Sequence, residues 1–217
     1  MKPKNKFWIS VLSIAIFILI VLSPLIYATH SKELTWSVSQ KYGSETRLGE
    51  NAQILNSNII EFFNGAKLNN TFTTPEKNHL IDVRNLLNIA SILFAISLIV
   101  IIIAIIYNKK ESEHIFNKAF LYSGISAIIF NLIILFFTIF NFDSLFISFH
   151  ELLFPQGNWT FPTSSLLIQL YPEGFFTEMG TIIFVTSIMI SLLLILIEIL
   201  KIKKINFKLS RNNKRAR

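Results

Sequence analysis

The sequence predicts an all-α integral membrane protein of four transmembrane helices, with an extracellular cap formed by two loops. Hydrophobic residues make up 52% of the chain and charged residues only 15%, whereas a soluble domain carries about a quarter charged residues. The apolar residues occur in long unbroken runs rather than in the alternating or amphipathic patterns of a soluble core. A lipid environment explains both observations, and we interpret residues 1–217 as a single membrane domain.

Four segments contain the roughly 20 mostly apolar residues that a membrane-spanning helix needs. Glu198 lies near the end of the last segment beside Lys201, where its carboxylate can reach the lipid headgroups. Asn131 is strongly polar and lies deep within a segment, so we interpret it as a partner in an interhelical hydrogen bond. The predicted spans are 7–27, 86–107, 119–142 and 179–200.

The first span could instead be a signal peptide, because residues 1–6 form a basic n-region. Its apolar stretch is longer than an ordinary h-region. Ala28 also lacks a small residue two positions earlier, where Ile26 stands. We therefore favour an uncleaved membrane anchor.

Basic residues are distributed unevenly between the two sides of the predicted bundle. The side with both termini holds 14 basic and three acidic residues, and the opposite side holds six basic and ten acidic residues. Because Lys and Arg favour cytoplasmic loops, we predict cytoplasmic termini and outer loops at 28–85 and 143–178. The basic tail at 201–217 fits this orientation and an attraction to anionic headgroups. The net charge of +7 therefore does not indicate a nucleic-acid partner.

The first outer loop carries two local patterns. Residues 34–38 alternate in the manner of a short strand. Apolar residues then recur at a spacing that predicts one stripe of an amphipathic helix, and Gly65 is a plausible stop for that helix. We predict that this helix lies over the mouth of the bundle, with its apolar side against lipid or the other loop. The stripe consists of Leu48, Ala52, Leu55, Ile59 and Phe62.

The second outer loop is unusually aromatic for an exposed segment, and residues 143–178 contain no Lys or Arg. Trp and Tyr prefer the membrane interface, so we expect this loop to dip into it. Its aromatic residues are Phe146, Phe149, Phe154, Trp159, Phe161, Tyr171, Phe175 and Phe176.

Several kinds of chemistry are excluded by the residues present. The chain has no cysteine, which excludes disulfides, thiolate metal sites and a cysteine nucleophile. It also contains no Gly-x-Ser-x-Gly segment, which a serine hydrolase of that class would need. Of the four histidines, we interpret His30 and His114 as ordinary surface residues.

His79 and His150 lie in contexts that favour function. His79 stands directly before the second span, and Glu76 and Asp82 lie one turn away on the same face if that helix begins early. A carboxylate there can fix the tautomer of the imidazole and raise its basicity. His150 is flanked by aromatic residues at the same predicted depth, so the two histidines could meet. Each could also be a capping or interfacial residue. A metal site with Glu76, Asp82 or Glu151 lacks any supporting His spacing, and we predict none.

Two segments carry motifs of one protein family. Residues 79–86 read His-Leu-Ile-Asp-Val-Arg-Asn-Leu and resemble a His-x-x-Asp-Val-(Lys/Arg)-x-Leu signature. Residues 149–176 resemble a longer one, which begins Phe-His-Glu-Leu-Leu-Phe and ends Tyr-Pro-Glu-Gly-Phe-Phe. These signatures are typical of the four-span bacterial proteins of the lipoprotein intramolecular transacylase (Lit) family. The number of spans, the loop lengths and the order of the motifs agree over nearly the whole chain.

Three positions depart from the family pattern. Ser165 stands where an acidic residue is common, Leu153 where many members have an aromatic residue, and Tyr171 where phenylalanine is more usual. Because this chain has a serine at position 165, the acidic residue that other members carry there could serve either in catalysis or in loop structure.

The resemblance implies transfer of the sn-2 acyl chain of a diacylglyceryl lipoprotein to its own N-terminal cysteine amine, which gives the lyso-form. It implies His79 and His150 as the catalytic acid/base pair, with no cofactor, because the acyl donor is already an ester. The partners would be diacylated bacterial lipoproteins and membrane lipid. The reaction would take place at the outer face of the bacterial cytoplasmic membrane. Neither the lipoproteins served nor the oligomeric state follows from these motifs.

Six further residues are candidates for supporting roles. Asp82 or Glu76 would orient His79, while Arg84 would either meet an oxyanion or pair with Asp82. The aromatic residues would either shape an acyl groove or anchor the loop, and they are Trp159, Phe175 and Phe176.

Two other classes of function remain as alternatives. A non-enzymatic membrane protein could bind a lipoprotein or another partner through its aromatic outer loop. A transporter is less favoured, because the spans lack the paired charges and the Gly or Pro breaks near the midplane that such a protein would be expected to show.

Overall fold

The computed structural model describes residues 3–108 and 112–215, which form nine α-helices and no strand. Lys2, Lys109, Lys110, Glu111 and Arg217 contribute to the predicted orientation but lie outside the described residues. In chain order the helices are α1 (Pro3–His30), α2 (Lys32–Lys41), α3 (Ser44–Leu48), α4 (Asn51–Phe63), α5 (Thr74–Tyr107), α6 (Ser112–Phe140), α7 (Phe142–Leu153), α8 (Leu166–Leu170) and α9 (Glu173–Arg215).

Four helices, α1, α5, α6 and α9, contain segments long and apolar enough to cross a membrane, which confirms the predicted multi-pass fold. At 1.5 Å per residue, the 34 residues of α5 extend over about 51 Å. This length exceeds the roughly 30 Å of a hydrocarbon core. The polar first turns of α5, which carry Glu76, His79 and Asp82, therefore project beyond the apolar run that begins at residue 86.

Polar side chains join three of the long helices in their apolar region. Asn131 of α6 is fully buried and donates from Nδ2 to Ser187 Oγ of α9 at 2.9 Å. Ser187 Oγ in turn donates to the backbone oxygen of Ile20 in α1 at 3.2 Å. The predicted interhelical role of Asn131 is thus confirmed. Glu198 is buried against protein and pairs with Lys201 at 2.6 Å, so the expectation that its carboxylate reaches the headgroups is wrong.

The segments between the long helices pack on each other at one end of the bundle. We call α2, α3, α4 and α8 the cap. Ser39 of α2 donates to the backbone oxygen of Leu170 in α8 at 2.8 Å, and Tyr171 donates from its hydroxyl to Asn56 Oδ1 of α4 at 2.9 Å. An apolar cluster that includes Leu55, Ile59 and Leu170 fills the space between these helices. The two loops therefore form one packed layer.

The predicted amphipathic helix is α4, and its apolar stripe faces the other loop. Ala52, Leu55 and Ile59 are buried on that stripe. Leu48 belongs to α3 instead, because Gly49 has a φ of 60° and ends that helix. Gly65 has a φ of 106° just beyond the end of α4, as expected for a helix stop.

The predicted strand at 34–38 is wrong, because these residues lie within α2. Ser31 caps this helix, and its Oγ accepts from Leu34 N at 3.2 Å. Apolar alternation over five residues does not distinguish a strand from a short helix. The serine cap and the docking of Ser39 on α8 decide in favour of the helix.

Gly174, near the start of α9, allows the cap to approach that helix closely. The ring of Tyr42, which follows α2, lies against the Gly174 Cα, and a Cβ there would collide with the ring. This contact gives a packing reason for the glycine of the second motif.

Candidate active site

The two histidines of the motifs lie next to each other. His79 belongs to α5 and His150 to α7. Their ring centroids are 6.1 Å apart, with 26° between the ring planes. The two histidines therefore lie side by side, as expected from the sequence. We call them the histidine pair.

Aromatic side chains surround the histidine pair. The Phe154 ring lies 5.0 Å from that of His79 and 5.6 Å from that of His150. Phe161 contacts His79 at 5.6 Å. Phe146 and Trp159 contact His150 at 4.0 and 4.9 Å. The pair thus lies in an apolar pocket, where electrostatic interactions are stronger than in water.

A backbone hydrogen bond fixes the hydrogen position on His150. Its Nδ1 lies 2.7 Å from the backbone oxygen of Phe146. A carbonyl oxygen only accepts hydrogen bonds, so Nδ1 carries the hydrogen and neutral His150 has its lone pair on Nε2. Burial lowers the pKa of His150 below its ordinary value, and the bond to Phe146 offsets this in part. The ring is therefore neutral at neutral pH and can accept a proton at Nε2.

Glu76 lies on the same helix as His79, but the structure places its carboxylate elsewhere. One oxygen accepts from both N and Oγ1 of Thr73 at 2.8 Å, and the other accepts from Leu167 N at 3.2 Å. The residue is 1% exposed. Both oxygens are engaged in starting α5 and in fastening α8 of the cap to it. The geometry therefore supports a structural role rather than the orientation of His79.

Asp82 is connected to His79 through Asn158, a residue that the motifs did not indicate. Its Oδ2 accepts from Asn158 Nδ2 at 2.6 Å and from Gln156 Nε2 at 2.8 Å. Asn158 interacts in turn with the ring of His79. Nothing in the sequence links these positions, because the hydrogen bonds join α5 to a turn after α7. Their relation follows from the fold alone.

Arg84 packs on an aromatic ring of the cap. Its Cζ lies 4.7 Å above the centroid of the Phe62 ring in α4, within the range of a cation–π contact. This contact joins α5 to α4. It supports a structural role rather than either of the two polar roles expected from the sequence.

The three aromatic candidates have different surroundings. Trp159 contacts His150 directly and so belongs to the pocket. Phe176 contacts Phe146 at 5.6 Å, one ring removed from the pair. Phe175 stacks on Tyr171 at 4.4 Å in the apolar cluster of the cap, where it contributes to packing.

Ser165 is the N-cap of α8, and its Oγ accepts from Ile168 N at 3.3 Å. Serine and aspartate both serve at this position of a helix. The local geometry at Ser165 therefore supports a role in loop structure.

Across residues 3–108 and 112–215, no group of three or more His, Asp or Glu side chains is arranged to hold a metal ion. What the pocket offers is two imidazoles in apolar surroundings, an arrangement suited to proton transfer.

Comparisons with known proteins relate this fold to one family. The family model described as lipoprotein intramolecular transacylase Lit matches residues 6–176. The structure of the membrane-integral Lit of Bacillus cereus is 20% identical, with a TM-score of 0.82 over 94% of this chain and 98% of that chain. Two further structures of that protein carry a histidine substituted by arginine or by alanine; both are 21% identical, with TM-scores of 0.78 over 94% of this chain and 95% and 96% of theirs. The comparison with curated proteins gave no match.

The similarity to the solved structures shows that the fold is shared, from one end of the chain almost to the other. The family model adds the sequence evidence, because it covers most of the chain and includes both histidine motifs. This multi-pass membrane protein therefore belongs to the lipoprotein intramolecular transacylase Lit family.

Proposed function

We propose that this protein moves the sn-2 acyl chain of a diacylglyceryl lipoprotein to the amine of the lipoprotein's own N-terminal cysteine, with His79 and His150 as acid and base. The product is the lyso-form, with one chain on nitrogen and one on glycerol. The observation that supports this most strongly is the histidine pair, brought together from α5 and α7 with ring centroids 6.1 Å apart. Membership of a transacylase family supports it independently.

The reaction balances without any other reactant. The amine nitrogen attacks the carbonyl carbon of the sn-2 ester, an N–C bond forms, and the C–O bond to glycerol breaks. One proton leaves the nitrogen and one arrives on the glycerol oxygen. An imidazole can take the first, and the imidazolium formed in this way can supply the second; such a group typically contributes about a hundred- to ten-thousandfold in rate. The amine and the ester belong to one molecule, so the protein mainly orients them.

Water has to be kept away from the ester, because hydrolysis would release the chain as a free fatty acid. The rings around the histidine pair, among them Phe146, Phe154 and Trp159, suit this task. The acyl chain itself is apolar, and the exposed aliphatic side chains of α5 and α6 offer an apolar surface suited to it.

The pH dependence of the rate follows from the protonation states of the His150 imidazole and of the substrate amine. The amine, with an ordinary pKa near 8, must be neutral to attack, so we expect log rate to rise with a slope of about one from pH 6.5 to 7.5. Burial lowers the pKa of His150, so its protonation steepens the profile only below about pH 6.5. Initial rates on a synthetic lipopeptide test this. Steepening that begins at or above pH 7, in protein shown to be folded, would contradict it.

We further propose that the pocket faces outward and that both termini are cytoplasmic, on the basis of the Lys and Arg distribution. The chain has no cysteine, so single cysteines can be labelled without background. We expect Thr71→Cys to react with a membrane-impermeant maleimide in intact cells. Glu113→Cys should react only after permeabilisation. Both positions are exposed, so labelling of Glu113→Cys from outside would refute this orientation.

The experiment that tests the function is mass spectrometry of an N-terminal lipopeptide from cells with and without this gene. We expect conversion from the free-amine diacylglyceryl form to the N-acyl, S-monoacylglyceryl form when the protein is present. An unchanged lipopeptide, with the protein confirmed in the membrane, would refute the enzymatic proposal and favour a non-enzymatic binding protein.

A further inference from the structure

Two buried polar atoms beside the histidine pair have no hydrogen-bond partner in the part of the chain that the structure describes. They are His79 Nδ1 and Asn158 Oδ1. Their side chains are neighbours, because Asn158 interacts with the His79 ring. Unpaired buried polar atoms are costly, and these two are complementary: a ring nitrogen can carry a hydrogen, and an amide oxygen only accepts one. A hydrogen bond between them would satisfy both atoms.

Asp82 determines which way the amide of Asn158 faces. The carboxylate oxygen Oδ2 accepts from Asn158 Nδ2 at 2.6 Å. Because a carboxylate accepts and does not donate, the NH₂ group of Asn158 must face Asp82, which leaves Oδ1 available on its other side. Asp82 lies one turn after His79 on α5. The same helix therefore carries the histidine and the group that orients its neighbour.

We propose that Asn158, held by Asp82, is a positioning residue that accepts the Nδ1 hydrogen of His79 and leaves the lone pair of that ring on Nε2. The inference rests on the proposed function, since the tautomer of His79 affects the reaction only if this ring transfers protons. His150 is arranged in the same way, with Nδ1 bonded to the backbone oxygen of Phe146 at 2.7 Å. Each ring then has one amide oxygen on Nδ1 and its reactive lone pair on Nε2.

A purely structural role for Asn158, in which it only ties its turn to α5, predicts different results. Gln156 provides the matched control, because it donates to the same oxygen of Asp82 at 2.8 Å but is exposed. Asn158→Leu and Gln156→Leu each remove one hydrogen bond to that oxygen. We expect Asn158→Leu to lower kcat by about 10- to 100-fold, the effect typical of losing a group that orients a metal-bound histidine, with KM nearly unchanged. Gln156→Leu should lower kcat much less. Equal effects of the two would overturn the inference.

The tautomer can be measured without any activity. NMR of the purified protein in micelles, with isotope-labelled nitrogen in its histidine rings, distinguishes Nδ1–H from Nε2–H. The variant His79→Gln identifies which signal belongs to His79. We expect Nδ1–H for His79 in the wild-type protein and a shift toward Nε2–H in Asn158→Leu. Nε2–H in the wild-type protein would overturn the inference even if Asn158→Leu does not fold. A tautomer unchanged by Asn158→Leu would also overturn it.

The same variants separate this inference from the proposed function. If His79→Ala is inactive while Asn158→Leu behaves as Gln156→Leu, only the role of Asn158 is wrong. If His79→Ala keeps the wild-type rate, the acid/base role of His79 is wrong, and the role of Asn158 in positioning His79 for catalysis is overturned with it. If the wild-type protein forms no lyso-form, the proposed function itself is wrong.

Discussion

Replacing either histidine of the pair by alanine is expected to lower the rate of lyso-form production by about a hundred- to ten-thousandfold. The two rings lie 6.1 Å apart in one aromatic pocket, so each removal takes away one of the two groups that can move a proton between the amine and the glycerol oxygen. The double variant should lose little more than the single ones, because residues that act as a unit are strongly non-additive. Initial rates on a purified lipopeptide measure this.

His30→Ala is the matched control for these substitutions. His30 ends α1, and its Nδ1 lies 2.9 Å from the backbone oxygen of Ile26, apart from the histidine pair. We expect this variant to keep nearly the wild-type rate, because substitutions away from a site usually change little. If His79→Ala and His150→Ala fold normally and retain activity as His30→Ala does, the acid/base role of the pair is refuted.

Replacing Glu76 by glutamine is expected to produce a clear loss of stability. The carboxylate accepts hydrogen bonds from N and Oγ1 of Thr73 and from Leu167 N, and the side chain of Ser165 also interacts with it. A glutamine has one oxygen and an NH₂ group, so at least one of these donors would face another donor. A buried unsatisfied group costs about 1–3 kcal/mol, and we expect a decrease of that size in the free energy of unfolding.

Glu61→Gln provides the comparison, because Glu61 also forms a pair, with Lys32 at 2.6 Å, but its side chain is 50% exposed. Exposed pairs contribute little, so its unfolding temperature should barely change. Thermal unfolding of both variants in the same detergent measures the difference. If Glu76→Gln unfolds at the same temperature as Glu61→Gln, the carboxylate does not fasten α8 to α5.

The sequence predicts much of this fold because a membrane imposes simple requirements. Four apolar runs of sufficient length predict four spans, and α1, α5, α6 and α9 contain them. Asn131 stands out in such a run because a polar group in lipid needs a partner, and Ser187 is that partner. The strand predicted at 34–38 failed because a five-residue pattern carries too little information, and the helix there depends on a cap and on packing.

The candidate site was predictable in part. The motifs indicated His79 and His150, but only the fold shows that their rings lie together. For Glu76 the helical spacing suggested His79 as its partner, although Thr73 and Glu76 already form the local pattern of a capping box. That pattern predicts the hydrogen bond to Thr73 N that the structure contains. The contact of Asp82 with Asn158 had no local signal, because it joins residues 76 positions apart.

The central claim, that one molecule supplies both the acyl chain and the amine, can be tested directly by a crossover measurement. Two diacylglyceryl lipopeptides are mixed with the purified protein, one with a heavy sn-2 chain and a light peptide, the other with the labels reversed. Mass spectrometry of the products should show on each amine the chain from its own glycerol, with no crossed product and no labelled free fatty acid. Crossed products would contradict intramolecular transfer, and labelled fatty acid without N-acylation would show hydrolysis instead.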